Sequence, residues 1–213
     1  AETDIVVDIY GYYITSSGGT GTPGQDGADG ADGQDAESPA RVIWVADDGT
    51  GDFLKLSTAL ASITDATATK PYVIKIAPGV YTETANVAMK NYVDVEGSGQ
   101  DITTITCDCN STNVSSGAVI AAGAITAEIR HLTINNTGGS NDVNTGVYTN
   151  NVVDGSFSML HVTVTSTDTD TNRAMSNVSS SPTMNNVTAT ATGGTLNSGV
   201  HNITSSPTMN NVT

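Results

Sequence analysis

Short apolar segments separated by Asn, Ser, Thr and Gly recur at nearly fixed intervals along the second half of the chain. The octapeptide Ser-Pro-Thr-Met-Asn-Asn-Val-Thr occurs at residues 181–188 and again at residues 206–213, a step of 25 residues. Fainter copies of its second half begin at His131 and His161, and the steps from His131 to His161 and from there to Asn186 are 30 and 25 residues. Repetition at a fixed period is typical of a structural unit that stacks on its own copies and buries its apolar face against them.

A second apolar position moves along the chain in step with the first. Val147, Met175 and Val200 each follow a Gly or an Ala, and successive members are 28 and 25 residues apart. Two apolar positions per repeat, joined by polar corners, predict two short strands in each coil. We therefore predict an all-β fold, a β-solenoid, for the repeats.

The region between residue 39 and the repeats predicts further strands and one short helix. Apolar runs at residues 42–45, 72–76, 92–96 and 103–107 have the length and the bounding turns of strands. Between the first two runs, Phe53, Leu56, Leu60 and Ile63 have the spacing of one face of a helix, and two Ala residues favour that conformation.

This region resembles the opening of the pectin methylesterases, within the right-handed parallel β-helix family of pectin-lyase-like proteins. The matching sequences are Val-Ala-Asp-Asp-Gly-Thr-Gly-Asp-Phe from Val45, Ala-Leu-Ala-Ser-Ile from Ala59, Pro-Tyr-Val-Ile-Lys-Ile-Ala-Pro-Gly-Val-Tyr-Thr-Glu from Pro71 and Asp-Val-Glu-Gly-Ser-Gly from Asp94. The resemblance implies a right-handed parallel β-helix over residues 39–213, with the short helix shielding the open end of the apolar core.

The resemblance also implies where catalytic residues should lie. The family uses two carboxylates, an Arg and a Gln, carried by the motifs Gln-Asp-Thr-Leu and Asp-Phe-Ile-Phe-Gly, and this sequence has neither motif. Asp154 is followed by Gly-Ser-Phe, and Arg41, Arg130 and Arg173 lack the matching context. Acid–base catalysis needs positioned carboxylates, so the sequence predicts no catalytic residues, no cofactor-binding residues and no enzyme activity.

The first 38 residues predict two further segments. Residues 1–17 alternate around Ile5, Val7 and Ile9, which predicts a β-strand, and their sequence is similar to the closing strand of repeated domains in bacterial cell-surface proteins. From Gly18 to Gly33 every third residue is Gly. Residues 18–38 therefore resemble a collagen-like segment, which implies a homotrimer, and the alternative is an extended acidic linker.

Charge excludes two classes of partner. The chain carries 22 acidic and 7 basic residues, a net charge of −15, which repels nucleic acid and anionic lipid. No run reaches the roughly 20 apolar residues that a membrane helix needs. Together with few Lys and many Thr, Asn and Gly, these features predict an extracellular or cell-surface protein of a prokaryote, with no nucleic acid partner and no membrane insertion.

Several side chains could bind a ligand, but each has a structural explanation as well. Asp47, Asp48 and Asp52 offer oxygen ligands for Ca²⁺, yet their turn matches neither the EF-hand loop nor the calcium repeat of toxin-type solenoids. His131 and His161 occupy one register and are interpreted as a stacked polar ladder that Asn186 and Asn211 continue, rather than as a metal site. No metal site is predicted, and calcium is left open.

The two cysteines and the aromatic residues give weaker indications. Cys107 and Cys109 are too close in a strand for an unstrained bridge and are expected as buried thiols, with pairing to another chain or a soft metal as alternatives. Trp44 is expected in the core. Tyr148, with Tyr81 and Tyr92, is left as a platform for sugar stacking.

These observations lead to the hypothesis of a non-catalytic structural subunit of an extracellular filament, fibre or adhesin. Residues 1–17 of one chain would add a strand to an identical neighbour, so that contacts propagate head to tail. The alternative is a carbohydrate-binding or carbohydrate-processing, pectinesterase-like β-helix that meets surface glycans. A third interpretation is a fragment of a larger adhesin.

Overall fold

Parallel pairing of each coil with the next organises the whole described part of the chain. A computed structural model describes residues 41–139 and 143–213. The predicted strand at residues 1–17 and the collagen-like segment at residues 18–38 lie outside the described residues. The predicted parallel β-helix is confirmed, since every pairing between named strands is parallel.

The described residues form one helix and fourteen strands. The helix α1 spans Leu56–Ser62. The strands are β1 (Arg41–Val45), β2 (Tyr72–Ile76), β3 (Gly79–Glu83), β4 (Val87–Ala88), β5 (Val93–Glu96), β6 (Thr103–Cys107), β7 (Ala118–Ala122), β8 (Ala127–Asn136), β9 (Val143–Asn150), β10 (Phe157–Thr167), β11 (Thr171–Val178), β12 (Thr183–Thr192), β13 (Leu196–Ile203) and β14 (Thr208–Val212).

These strands stack into two sheets. The first sheet runs β1-β2-β5-β8-β10-β12-β14, with β3 and β6 alongside β8, and the second sheet runs β13-β11-β9-β7-β4. The predicted registers are confirmed: Val162 pairs with Val187 in the first sheet, and Met175 pairs with both Val147 and Val200 in the second.

A left-handed residue bends each long strand of the first sheet. His131, His161, Asn186 and Asn211 have φ of 56°, 53°, 53° and 51°. Before the bend β8 pairs with β5, and after it β8 pairs with β6. The repeats have two strands per coil, as predicted, but the bend divides the first of these strands into two faces and gives each coil three sides. Asn and His tolerate this conformation better than most side chains do.

The interior is filled by columns that take one apolar residue from each coil. Val95, Ile129, Met159 and Met184 form such a column through successive pairings, and each is at most 1% exposed. Because side chains alternate across a strand, parallel pairing in register places like residues on top of one another. The 5% aromatic content is sufficient for this narrow core.

The predicted capping helix is confirmed, with slightly shorter bounds. Helix α1 buries Leu56, Ala59 and Leu60 and packs against β1 to β4. Glu83, only 3% exposed, accepts hydrogen bonds from the N–H of Ser57 (3.1 Å) and from its hydroxyl (2.6 Å). A carboxylate at the first turn of a helix satisfies donors that have no partner within the helix.

The two cysteines form a disulfide, so the expectation of buried free thiols is wrong. Cys107 and Cys109 are joined, with their Cα atoms 5.1 Å apart, within the normal range for a bridge. Strand β6 ends at Cys107, so the chain turns before Cys109 instead of remaining extended. The bridge is buried at the corner where the chain leaves the first sheet.

The short helix α1 lies at one end of the coils. No helix of residues 41–139 and 143–213 is long and apolar enough to cross a membrane.

The fully buried side chain of Asn136 ties three coil segments together. Its amide nitrogen lies 2.8–2.9 Å from the carbonyl oxygens of Cys109, Gly117 and Thr145, and its oxygen accepts the N–H of Gly138 at 2.9 Å. Asn136 satisfies backbone groups at a corner where no strand pairing can do so.

We expect Asn136→Ala to lower the free energy of unfolding by about 3 kcal/mol, because it leaves several buried backbone groups without a partner. Chemical denaturation measures the change. Asn135→Ala is the matched control, since Asn135 is half-buried and accepts one hydrogen bond, from Thr165 at 2.6 Å. Equal stability of the two variants would contradict the proposed role of Asn136.

Candidate functional site

A carboxylate and an amide meet at the corner where the chain enters the second sheet. Asp168 lies between β10 and β11, and Asn144 is the second residue of β9, one coil earlier. The Asn144 amide donates to the Asp168 carboxylate at 2.6 Å. The pair forms because successive coils present the same corner at the same height.

Hydrogen bonds keep the Asp168 carboxylate ionised. Desolvation raises its pKa, but the Thr169 N–H, the Asn144 amide, the Thr169 hydroxyl and the Gly139 N–H together outweigh that effect, so the pKa of Asp168 lies below its usual value. Four donors directed at one carboxylate stabilise its charged form. At neutral pH this group can accept a proton or attack an electrophile.

Glycines in the neighbouring coils allow the corner to pack closely. Gly138 has φ of 67°, and a Cβ there would lie 2.7 Å from Cβ of Asp168. Gly193 has φ of 89°, and a Cβ there would lie 2.7 Å from the Asp168 carbonyl oxygen. A side chain at either position would push the carboxylate from its place.

A second carboxylate approaches from the preceding coil. Gly139 donates its N–H to Asp168, and Oδ1 of Asp108 lies 3.3 Å from the position that a Cβ on Gly139 would occupy. Asp108 also lines a cavity of about 540 Å³ with Asn86, Asn110 and Ala121. The amide nitrogen of Asn110 lies nearer to that position than Asp108 does, so Asp108 borders the corner from the side of the cavity.

A column of asparagines in the second sheet supports this corner. Asn144, Asn172 and Asn197 occupy one column, and the Asn172 amide lies 2.9 Å from the Asp168 carbonyl oxygen and 3.1 Å from Oδ1 of Asn197. This column fixes the backbone of the corner from inside the coil. Tyr148, half-buried, pairs with Ala121 of the cavity and with Ser176 in the next strand.

Of the predicted sugar platforms, only Tyr148 lies in this sheet. Tyr81 is 2% exposed, and its hydroxyl donates to the carbonyl oxygen of Ala77 at 3.0 Å. Tyr92 immediately precedes β5, at the first sheet. The expectation of a buried Trp44 is wrong: it is 51% exposed, because alternation in β1 directs Ile43 and Val45 inward and Trp44 outward.

The histidine ladder is confirmed, and the acidic turn has structural partners. The rings of His131 and His161 lie 5.3 Å apart, and Nε2 of His161 lies 3.3 Å from the Asn186 amide. Asp52 accepts the Trp44 N–H, and Asp48 accepts the N–H and hydroxyl of Thr50. Within residues 41–139 and 143–213 no three His, Cys, Asp or Glu side chains form a cluster that could hold a metal.

Comparison with known proteins gives the class to which this fold and site belong. The family model described as Pectinesterase matches residues 42–171, which is more than half of the chain. The chain therefore belongs to the pectinesterase family.

Individual relatives agree with this assignment. A curated pectinesterase from Daucus carota is 38% identical over 101 residues, which cover 45% of this chain and 31% of that protein. The structure of pectin methylesterase from carrot gives a TM-score of 0.53 at 19% identity, covering 73% of this chain and 54% of that one. A pectin methylesterase mutant in complex with a hexasaccharide gives 0.50 at 18% identity, covering 68% and 54%. At these identities the solved structures show the fold, and the chain spans a third to a half of its relatives.

The family assignment overturns the prediction of a non-catalytic protein. That prediction required the complete motifs, but residues 167–170 read Thr-Asp-Thr-Asp and keep the central Asp-Thr of Gln-Asp-Thr-Leu. They lie inside the matched region. Asp168 is therefore a candidate site residue that sequence reasoning missed, and the partial motif was the signal that could have identified it.

We expect Asn144→Ala to raise the pKa of Asp168, because one of its donors is lost while desolvation remains. A carboxyl NMR titration measures the shift. A folded-state pKa below the unfolded value contributes stability above that unfolded value, and the contribution disappears as pH falls through the folded pKa. The variant should therefore lose part of this acid dependence of stability below about pH 4.

Asn197→Ala is the matched control, because Asn197 belongs to the same column without contacting Asp168. In the Asn197→Ala variant, the pKa of Asp168 should equal its value in the wild type. An unchanged pKa in Asn144→Ala would contradict the pairing of Asn144 with Asp168.

Proposed function

We propose that this chain carries the hydrolytic site of a pectin methylesterase-type enzyme, which converts methyl esters of a polyuronide into free carboxylates and methanol. Membership of the pectinesterase family and the ionised carboxylate at the entrance of the second sheet support this function. The curated and structural relatives named above carry this activity in their names. This was the alternative interpretation of the sequence.

Asp168 acts as the general base. Its carboxylate takes a proton from a water molecule while the water oxygen bonds to the ester carbonyl carbon. As the tetrahedral intermediate collapses, the bond between that carbon and the methoxy oxygen breaks, and the protonated Asp168 returns its proton to the leaving methoxide. The products are a carboxylic acid and methanol, and Asp168 is again ionised.

Asn144 is a positioning residue in this proposal. Its amide holds Oδ2 of Asp168 at 2.6 Å and keeps the carboxylate oriented and charged between turnovers. Asp108 is an exposed residue that lines the cavity near Gly139. The cavity beside Asp108 is lined by hydroxyl and amide groups that suit a polyhydroxylated chain.

The single observation that carries the proposal is the Asp168 carboxylate, which the Asn144 amide holds at 2.6 Å at the entrance of the second sheet, inside the family-matched region. An extracellular location fits a polysaccharide substrate and belongs to the same proposal. Assembly into filaments through residues 1–17 stays a prediction, because those residues lie outside the described part of the chain.

We expect the wild-type chain to release methanol from methyl-esterified polygalacturonate, and Asp168→Asn to reduce the rate by at least about 100-fold, since a lost general base costs about that much. Coupled alcohol oxidase detection measures the methanol. Asp154→Asn is the control: it removes an equal charge from an exposed turn and should retain wild-type activity.

Two results would contradict the proposal. One is a wild-type chain that is folded by circular dichroism and releases no methanol above the uncatalysed rate. The other is an Asp168→Asn variant that keeps wild-type turnover.

A further inference from the structure

The Cys107–Cys109 disulfide holds a bend at the end of β6. In an extended strand two residues advance by about 6.6 Å, whereas the Cα atoms of Cys107 and Cys109 are 5.1 Å apart. Both cysteines are buried, and Asp108 between them is exposed. The bridge therefore fixes the position of the Cys109 backbone relative to the neighbouring coil.

The backbone carbonyls of both cysteines hold residues at the end of β8. The carbonyl oxygen of Cys107 accepts the N–H of Thr137 at 3.0 Å, and the carbonyl oxygen of Cys109 lies 2.8 Å from the amide nitrogen of Asn136. The same amide nitrogen lies 2.9 Å from the carbonyl oxygen of Thr145 in β9. Asn136 thus links the bend to β8 and to β9 at once.

These two linked segments supply two of the donors to the Asp168 carboxylate. After β8, the N–H of Gly138 donates to Oδ1 of Asn136 at 2.9 Å, and the N–H of the next residue, Gly139, donates to Asp168. In β9, the amide of Asn144 donates to Asp168 at 2.6 Å. A path of direct contacts therefore leads from the disulfide to the carboxylate through both segments.

Asn110 makes a second contact between the bend and this path. Its side-chain amide occupies the space beside Gly139 in which a side chain on that glycine would lie. Because Asn110 directly follows Cys109, a shift of the Cys109 backbone would move both this amide and the carbonyl that holds Asn136. Two separate contacts couple the bend to residues 136–139.

A small reductant can reach the bridge through the neighbouring cavity. Cys109 is 5% exposed, and it lines the cavity of about 540 Å³ together with Thr84, Ser115 and Ser116. Cys107 is 1% exposed. Cys109 is therefore the half of the disulfide that an entering thiolate meets first.

We propose that the Cys107–Cys109 disulfide is a redox-sensitive positioning device, which holds the Asp168 carboxylate in place while it is oxidised and releases it when a dithiol reduces the bridge. A thiolate of the dithiol attacks the sulfur of Cys109, the S–S bond breaks, and the sulfur of Cys107 leaves as a thiolate and takes up a proton. The second thiol then displaces Cys109 as a thiol and closes the disulfide of the reductant. Two electrons have passed from the dithiol to the protein.

Reduction removes the constraint on the bend. The chain can then straighten at Asp108, so the Cys109 carbonyl moves away from the Asn136 amide. The two donors that depend on Asn136 no longer hold Asp168 in a fixed place. This inference rests on the proposed function for its effect on turnover: the enzyme would be slow where thiols are kept reduced and active in an oxidising extracellular environment.

Comparison of the oxidised and the reduced chain tests the device. We expect dithiothreitol to slow methanol release by about 10-fold or more with little change in KM, because a displacement of about 1 Å at a reacting group can cost that much. Reoxidation should restore the rate. The Cys107→Ser/Cys109→Ser variant should be as slow as the reduced chain, and dithiothreitol should not change its rate, so it is the control for the reductant.

The pKa of Asp168 gives a readout that does not require turnover. Below pH 7 buried thiols are neutral, so reduction adds no charge near the carboxylate. Reduction should raise the pKa of Asp168, because hydrogen bonds that favour its charged form are weakened, and a carboxyl NMR titration measures the change. Ile129→Val is the control for lost stability alone: it removes one methylene from the core and should leave this pKa as in the wild type.

The reduced chain should remain folded, since a bridge that closes three residues stabilises a protein far less than a long-range bridge does. A reduced chain that is unfolded by circular dichroism would make the disulfide a stabilising element only and would overturn the inference. A bridge that resists millimolar dithiothreitol, or a pKa of Asp168 that is unchanged after reduction, would overturn it as well.

The two readouts separate this inference from the proposed function. A raised pKa of Asp168 in a reduced chain, with no methanol released in either state, would refute the proposed function and leave the positioning role standing. Equal methanol release by the oxidised and the reduced chain would refute the redox device alone.

Discussion

In-register parallel pairing between successive coils is the constraint on which the rest of this structure depends. Each inward residue packs on the corresponding residue of the coils before and after it, as Ile129, Met159 and Met184 do. A shift of one residue would turn every such side chain outward. The corners must therefore close each coil at the same height, and left-handed residues, glycines and buried asparagines perform that closure.

The same constraint creates the functional surface. Because every coil presents its corner at the same place, Asn144 reaches Asp168 from one coil earlier, and the N–H of Gly139 reaches the same carboxylate. Ala174 lacks a register partner both in the pairing of β11 with β9 and in its pairing with β13, so neighbouring coils of the second sheet share this feature. Regular stacking of the coils thus places a row of chemically different side chains along one surface, as expected for a solenoid.

The sequence predicted the repeats and the strand registers because stacking imposes a period that the order of the residues alone reveals. It did not predict that His131, His161, Asn186 and Asn211 adopt φ near 50°, since a polar ladder is compatible with straight and bent strands alike. The three-sided coil depends on that bend. Cys107 and Cys109 were misjudged for a related reason: their spacing excludes a bridge in a strand, but the strand ends at Cys107.

The site was harder to predict than the fold, because its residues converge only after the coils have stacked. Asp168 retains the central Asp-Thr of Gln-Asp-Thr-Leu without the flanking Gln and Leu, so it was overlooked when the motif was sought. Hydrogen exchange measured by mass spectrometry with methyl-esterified oligogalacturonate tests directly whether the polysaccharide binds at the second sheet beside Asp168. We predict that backbone amides in β9, β11 and β13 and at residues 168–170 exchange more slowly when the oligosaccharide is bound. Slower exchange confined to the first sheet would contradict binding at the second sheet.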